Sequence, residues 1–434
     1  MTQKESISNG VREIYLDHAA TTPLDPRVKE AMEPYWDVVY GNPSTLYRPG
    51  RLAKDALDHS REVVAKILNC KPDEVIFTAG GTEADNIAIF GAAAMFRDKA
   101  KHLITTAFEH HAGLRSFEAL ARDGWEITYL EVGEDGLVDP GTVRHAIRPD
   151  TLLASVMYAN NEIGTIQPIA EIGQVLKDIR KERLAGQNQL PIYFHCDASQ
   201  AAGFLHLDVQ KLGVDLMSLN SGKIYGPKGV GALYARSGVR LKPIFQGGGQ
   251  EKNLRSGTEN IPGIVGLAKA LEIAHAEREE ESRRLTELRD YLIRRLTTEI
   301  PKTVLNGHPT KRLPNNVNVS VLDIEGEGVI LYLDAKGIYI STGSACTSIT
   351  LDPSHVILAL GKPYEYAHSS LRFSLGRSTA KADLDYLLEV FPGIVEKLRV
   401  ISPIRMEVGQ KEISHPEAFA GQGAKIKVGG RTYK

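Results

Sequence analysis

The spacing of apolar residues changes period along the chain, and each change marks an element. From about 52 to 68, LAKDALDHSREVVAKIL returns an apolar residue every three or four positions, which predicts an amphipathic helix. EVIFTAGGTEADNIAIFGAAAMF predicts a strand, a glycine turn and a helix, and HLITTAFEHHA a strand running into a polar loop. WEITYLEV, LLASVMYAN, PIYFHCDA, VDLMSLN and GALYAR are short runs rich in Val, Ile, Leu and Tyr, and they predict more strands. Helical stretches such as AEIGQVLKDIRKERL separate several of them. That alternation predicts an α/β fold with a mainly parallel sheet covered on both faces. A helix over 199–211 is expected to join PIYFHCDA to VDLMSLN. Residues 264–300 predict a long, highly charged helix, and the domain change is placed there. PNNVNVSVL, a helix near 326–336, GIYIST and LRFSLG then predict a smaller α+β domain. No internal repeat or low-complexity tract interrupts the pattern.

Composition narrows the partners. The chain has 434 residues, enough for two domains, with 42% hydrophobic and 24% charged residues, as in soluble globular proteins. A net charge of -2 gives no reason to expect nucleic acid or an anionic membrane as a partner. The N-terminus lacks the apolar core of a secretory signal, and no apolar run is long enough to span a bilayer. Cys70, Cys196 and Cys346 form no CxxC pair, so neither a disulfide framework nor a metal site is expected, and a reducing cytoplasm fits best.

Five places could carry chemistry. Asp197 follows the apolar run IYFHC, and Lys223 comes shortly after VDLMSLN. A right-handed crossover between parallel strands would put both on the same rim of the sheet, where open α/β sheets bind ligands. A carboxylate and a lysine there suit a pyridoxal cofactor, with the lysine forming a Schiff base and the acid facing the ring nitrogen. A plain salt bridge would leave the same spacing. Gly80-Gly81-Thr82, between strand and helix, could hold a phosphate on backbone N–H groups and a hydroxyl. His110, in Glu109-His110-His111, could stack on a ring or move a proton. Cys346 lies among small residues in GSACTS, a setting that favours an exposed, reactive thiol, whereas Cys196 inside a strand and Cys70 at a helix end look structural. Arg372, inside the apolar strand LRFSLG, needs a carboxylate partner, either internal or from a substrate.

Together the segments YLDHAATTPLDPRV, GNPS, FTAGGTEADN, EHHA, NNEIGT, HCDASQ, DLMSLNSGKIYGPKGVGALY, GGGQEKNLRSGTEN, PNNVNVS, STGSACTS and RFSLGRST resemble the cysteine desulfurases of the class V aminotransferase group, in family order from about 14 to 380. The resemblance implies a type I pyridoxal-phosphate fold (aspartate aminotransferase-like) and a homodimer. It implies a flexible tail (1–12), a small-domain segment (13–26), a large cofactor-binding domain (27–265), a small C-terminal domain with the cysteine loop (266–401) and a polar, weakly ordered tail (402–434). Lys223 would carry pyridoxal 5'-phosphate, Asp197 would face its ring nitrogen, His110 would stack on the ring and Gln200 would reach the phenolic oxygen. Gly81, Thr82 and Asn220 would hold the phosphate, joined by Thr258 from the other subunit. Asn161 and Arg372 would hold the substrate carboxylate. Cys346 would take sulfur from L-cysteine as a persulfide, leaving alanine. The stretch TSITLDPSHVIL after it matches the long-loop subgroup, whose loop can carry sulfur to an acceptor such as an iron–sulfur scaffold protein. The chain departs from the family pattern at Gly222 and Asn220, where His and Ser are usual, and at Tyr47 and Tyr158, where His is common. A selenocysteine lyase, another class V enzyme, and a partner-binding homologue with reduced activity remain alternatives.

Overall fold

The computed structural model describes residues 13–343 and 353–410, and the backbone of 426–428 and 431–433. Fourteen strands are seen among them: β1 (Ile14–Tyr15), β2 (Val75–Thr78), β3 (His102–Thr106), β4 (Glu126–Leu130), β5 (Thr151–Ser155), β6 (Tyr193–Asp197), β7 (Leu216–Asn220), β8 (Gly231–Ala235), β9 (Thr303–Leu305), β10 (Asn316–Val321), β11 (Ile338–Tyr339), β12 (Ser370–Ser374), β13 (Ile426–Val428) and β14 (Arg431–Tyr433). Seven form one sheet in the order β2-β8-β7-β6-β5-β3-β4. β7, β6, β5, β3 and β4 are parallel neighbours, and β8 runs antiparallel to both β7 and β2.

The strands are apolar on both faces because both are covered. Phe194 and Cys196 of β6 enter one core, and Tyr193 enters the other. Met217 and Leu219 of β7 likewise face away from Leu216. This is the two-residue alternation of a strand buried between two layers. The helix Arg48–Leu68 packs in the first core and Gly81–Phe96 in the second. Arg48–Leu68 begins before the predicted 52 because Pro49 falls in its first turn, where the missing N–H costs nothing.

The 39-residue helix Ile261–Glu299 serves two cores. Its first half, including Leu267 and Leu271, packs with the large sheet, while Leu285, Leu292 and Leu296 pack with β10 and β12. The division placed at 265/266 therefore falls inside one helix. Ile14 and Leu16 also belong to the second core, and β1 pairs with β11. The β12-β10-β9 sheet is antiparallel.

Two expectations change. Residues 199–205 form turns and a bend, 206–208 have no regular structure, and the only helical residues between β6 and β7 are Val209–Leu212. Gly203 interrupts the run, and Asp208 caps the short helix by accepting from Gln210 and Lys211 N–H. The beginning of the polar tail is docked. Met406 is buried, its N–H donates to Asp323 (2.7 Å), and Gly409 N–H donates to Tyr366 Oη (3.0 Å). β13 and β14 pair antiparallel beyond it. The predicted tail 1–12 lies outside the described residues.

Candidate active site

β6 and β7 are parallel, so their C-terminal ends meet on one rim, and Asp197 and Lys223 come together there as the crossover rule requires. A cavity of about 260 Å³ is lined by Gly81, Thr82, Asp85, His110, Asn161, Asp197, Gln200, Asn220, Lys223 and Arg372 among others. A second, of about 530 Å³, shares Gly81, Thr82, Asn220 and Lys223 and continues past Gly80, Gly222 and Lys228. Of the predicted site residues that the structure describes, only Thr258 is missing from both linings. Thr258 is exposed, and Cys346 lies outside the described residues.

Asp197 is half-buried and its Oδ1 accepts from Ser199 N–H (2.8 Å). Burial, and then the nearby Asp85, push its carboxyl above the usual carboxylate range. Asp85 is itself buried, and its Oδ1 lies 3.5 Å from His195 Nε2 with no hydrogen bond. Glu109 sits beneath them. Its Oε1 accepts from Met157 N–H and Thr106 Oγ1, yet burial pushes it up to about 8. This end of the site holds three acids, with Asp85 and Glu109 buried and Asp197 half-buried.

Lys223 follows β7 in a short 3-10 turn, and its Nζ donates to the carbonyls of Ala19 (2.9 Å) and Ala20 (2.5 Å). Gln200 Nε2 also donates to Ala19 (2.9 Å). The segment following β1 thus crosses to the rim of the large sheet. His110 caps the helix His111–Arg122, accepting from Ala112 N–H at Nδ1 (3.1 Å). A neutral ring in that position carries its proton on Nε2. Burial holds its pKa below the ordinary value.

Gly80 has φ 151°, a conformation that favours glycine, and it opens the helix Gly81–Phe96. A Cβ on Gly81 would stand 2.8 Å from Ser199 Oγ, so this helix end approaches the β6 loop closely. Asn220 faces it from β7, with its Oδ1 taken by Gly222 N–H (3.1 Å).

Arg372 is 2% exposed, and its partner is the internal acid Asp17 (Nη2–Oδ1 2.8 Å). Its Nη1 donates to the Asn161 carbonyl (3.0 Å), and its Nε has no partner among the described residues. Asn161 Oδ1 is also buried without a donor among the described residues. Asp17, Asp85 and the two alanine carbonyls escaped the sequence reading. Asp85 had a signal, since it lies three residues after Thr82 and so shares its helix face.

Cys70 and Cys196 are the thiols among the described residues, and burial raises both, Cys70 to about 12. Neither is a ready nucleophile.

The residues present fit pyridoxal phosphate. A lysine stands between a half-buried acid, able to face a cationic ring nitrogen, and a helix N-terminus with Thr82, able to take a phosphate. Comparisons with known proteins agree. The model of the family "Aminotransferase class-V" matches residues 14–387. A cysteine desulfurase IscS of Methanosarcina thermophila is 53% identical over 92% of this chain and 96% of its own. Another, from Dictyoglomus turgidum, is 50% identical over 91% and 98%. A solved NifS-like protein superposes with a TM-score of 0.82 at 35% identity, covering 89% of this chain and all of its own. The chain belongs to the class V aminotransferases, with the type I fold and pyridoxal phosphate as cofactor, and is closely related to the IscS and NifS-like cysteine desulfurases.

Proposed function

We propose that the protein is an L-cysteine desulfurase that transfers sulfur from cysteine to Cys346 and releases alanine. The C–S bond of the substrate breaks, an S–S bond forms on the Cys346 sulfur, and a proton replaces sulfur on the substrate carbon. The observation that carries the reading is the joining of Lys223, Asp197, His110 and Arg372 around one cavity. Pyridoxal phosphate bound there supplies the electron sink for the reaction. Lys223 Nζ moves the proton at the substrate Cα, and Asp197 keeps the ring nitrogen charged. Asn161 and Arg372 orient the substrate carboxylate. Arg372 already carries Asp17, so the substrate shares this guanidinium rather than neutralising a bare charge.

His110 receives a narrower role than a general base. Its Nδ1 lone pair is committed to Ala112 N–H, so the neutral ring offers a proton from Nε2 and accepts none there. It serves as a donor to the cofactor or the departing sulfur, and the Cys346 thiol loses its proton elsewhere.

We further propose a cytoplasmic homodimer that passes its sulfur to an acceptor protein, such as an iron–sulfur scaffold. Trp36, Val38, Tyr40, Leu46 and Tyr47 form an exposed apolar run, more than a lone domain needs. The exposure of Thr258, and its absence from its own chain's cavity linings, support a role at the partner's phosphate site. Mass spectrometry of the protein after incubation with L-cysteine tests the central claim. Added sulfur on Cys346 with stoichiometric alanine is expected, and Cys346→Ser should abolish both. Undiminished alanine release by Cys346→Ser refutes it and favours another class V activity.

A further inference from the structure

The larger cavity presents a charge problem that the residues named so far leave open. A phosphate monoester at the Gly80–Thr82 turn brings a charge of about -1.5 to -2. The helix N-terminus and Thr82 offer partial charges and a hydroxyl, and Asn220 offers an amide. Lys223 donates to Ala19 and Ala20 and is the proposed covalent partner of the cofactor. Glu83 also lines the cavity, with its charge taken by Arg255 (3.0 Å). Among the described lining residues, Lys228 is the remaining full positive charge.

Lys228 is also placed to use it. Gly222 brings no side chain to this wall, and a Cβ built there would stand 3.7 Å from Lys228 Cγ and 3.6 Å from Asn220 Oδ1. The stem of Lys228 thus runs beside the gap left by Gly222, in line with Asn220. Lys228 itself is exposed, and its Nζ donates to the carbonyl of Thr22 (2.5 Å), a part-buried neutral contact that an ammonium on a four-carbon stem can exchange for an anionic oxygen.

We propose that Lys228 is the cationic ligand of the cofactor phosphate, reaching across Gly222 to complete the turn formed by Gly81, Thr82 and Asn220. The inference rests on the pyridoxal-phosphate reading of the site. It predicts an effect on affinity that depends on the phosphate and is independent of turnover. Apoprotein of the wild type, Lys228→Met and Lys228→Arg is titrated with pyridoxal phosphate and with pyridoxal, which lacks the phosphate, and binding is read by equilibrium dialysis. Lys228→Met should weaken pyridoxal phosphate by about tenfold or more while leaving pyridoxal unchanged, the loss expected for one charge-assisted hydrogen bond. Lys228→Arg should retain most of the affinity. Inorganic phosphate should compete with pyridoxal phosphate better in the wild type than in Lys228→Met. Unchanged affinity for pyridoxal phosphate, or an equal loss for both ligands, overturns the proposal. Failure of the wild type to take up either ligand removes the cofactor reading, and the proposal with it.

Discussion

Glu109 gives the site a measurable pH signature. Its carboxyl is fully buried, and it is pushed from the ordinary 4.5 up to about 8 by burial, with Asp197 and Asp85 adding to the rise. The hydrogen bonds from Met157 N–H and Thr106 oppose it. The folded protein therefore holds this proton across a range in which the unfolded chain has lost it. A carboxyl of this kind contributes stability that is fully present below about 4.5 and is lost as pH rises toward 8. Each pH unit inside that window changes the free energy by about 1.4 kcal/mol, so the span from about pH 5.5 to 7.5 removes about 2–3 kcal/mol. Glu109→Gln keeps an oxygen for both donors and cannot ionise. Urea unfolding of the cofactor-free protein at a series of pH values provides the comparison. The variant should match the wild type near pH 5 and exceed it by about 2–3 kcal/mol near pH 7.5. Parallel curves, or a variant less stable at every pH, would show that Glu109 is ionised in the fold and that the acid cluster is arranged differently.

Other expectations follow from single contacts. Asp17→Ala leaves the guanidinium of Arg372 buried with only the Asn161 carbonyl, and should cost about 2–4 kcal/mol in unfolding, with L-alanine stabilising this variant more than the wild type; a cost below about 0.5 kcal/mol counts against the pair. Asp197→Asn should retain the fold by thermal melting and lower alanine production by about 10²-fold, a loss typical of removing one charge-stabilising group. Glu162 is buried and accepts from Ser354 Oγ, so Ser354→Ala should cost about 1–3 kcal/mol by leaving that carboxyl unpartnered. Glycine to alanine inside a helix usually stabilises, but a Cβ on Gly173 would stand 2.2 Å from the Leu212 carbonyl, so Gly173→Ala should lower the melting temperature.

The parts of this molecule legible in its sequence are those fixed by local period and by order. The buried strands announce themselves as apolar runs, and parallel pairing of β6 and β7 then forces Asp197 and Lys223 onto one rim. The stretch 199–211 misled because its apolar residues suit a helix, while Gly203 and the Asp208 cap divide it. Contacts across the chain left no local trace. The Ala19 and Ala20 carbonyls meet Lys223 from more than 200 residues away, and Asp17 meets Arg372 across 355. Arg372 was recognised as needing an acid, but nothing near it in sequence said that the acid came from the segment after β1. The buried acids were hidden for a different reason. Glu109 and Asp197 acquire raised carboxyls only through desolvation beside other acids, which periodicity does not report.

The distribution of charge around the two cavities also fixes which way a ligand must lie. Asp197 and Asp85 line only the smaller cavity, with Glu109 buried behind them. The Gly80 turn and Lys228 line the larger one, and Lys223 lines both. The acids gathered at one end favour a positively charged group there, while a helix N-terminus with an ammonium favours an anion. A ligand with a cationic ring nitrogen at one end and a phosphate at the other satisfies both ends in one orientation only. Reversal would put the phosphate against Asp197 and Asp85, where the carboxyls of Asp197 and of nearby Glu109 are already disfavoured as anions. The orientation that remains brings the middle of the ligand to Lys223, and the chemistry of the site depends on that meeting.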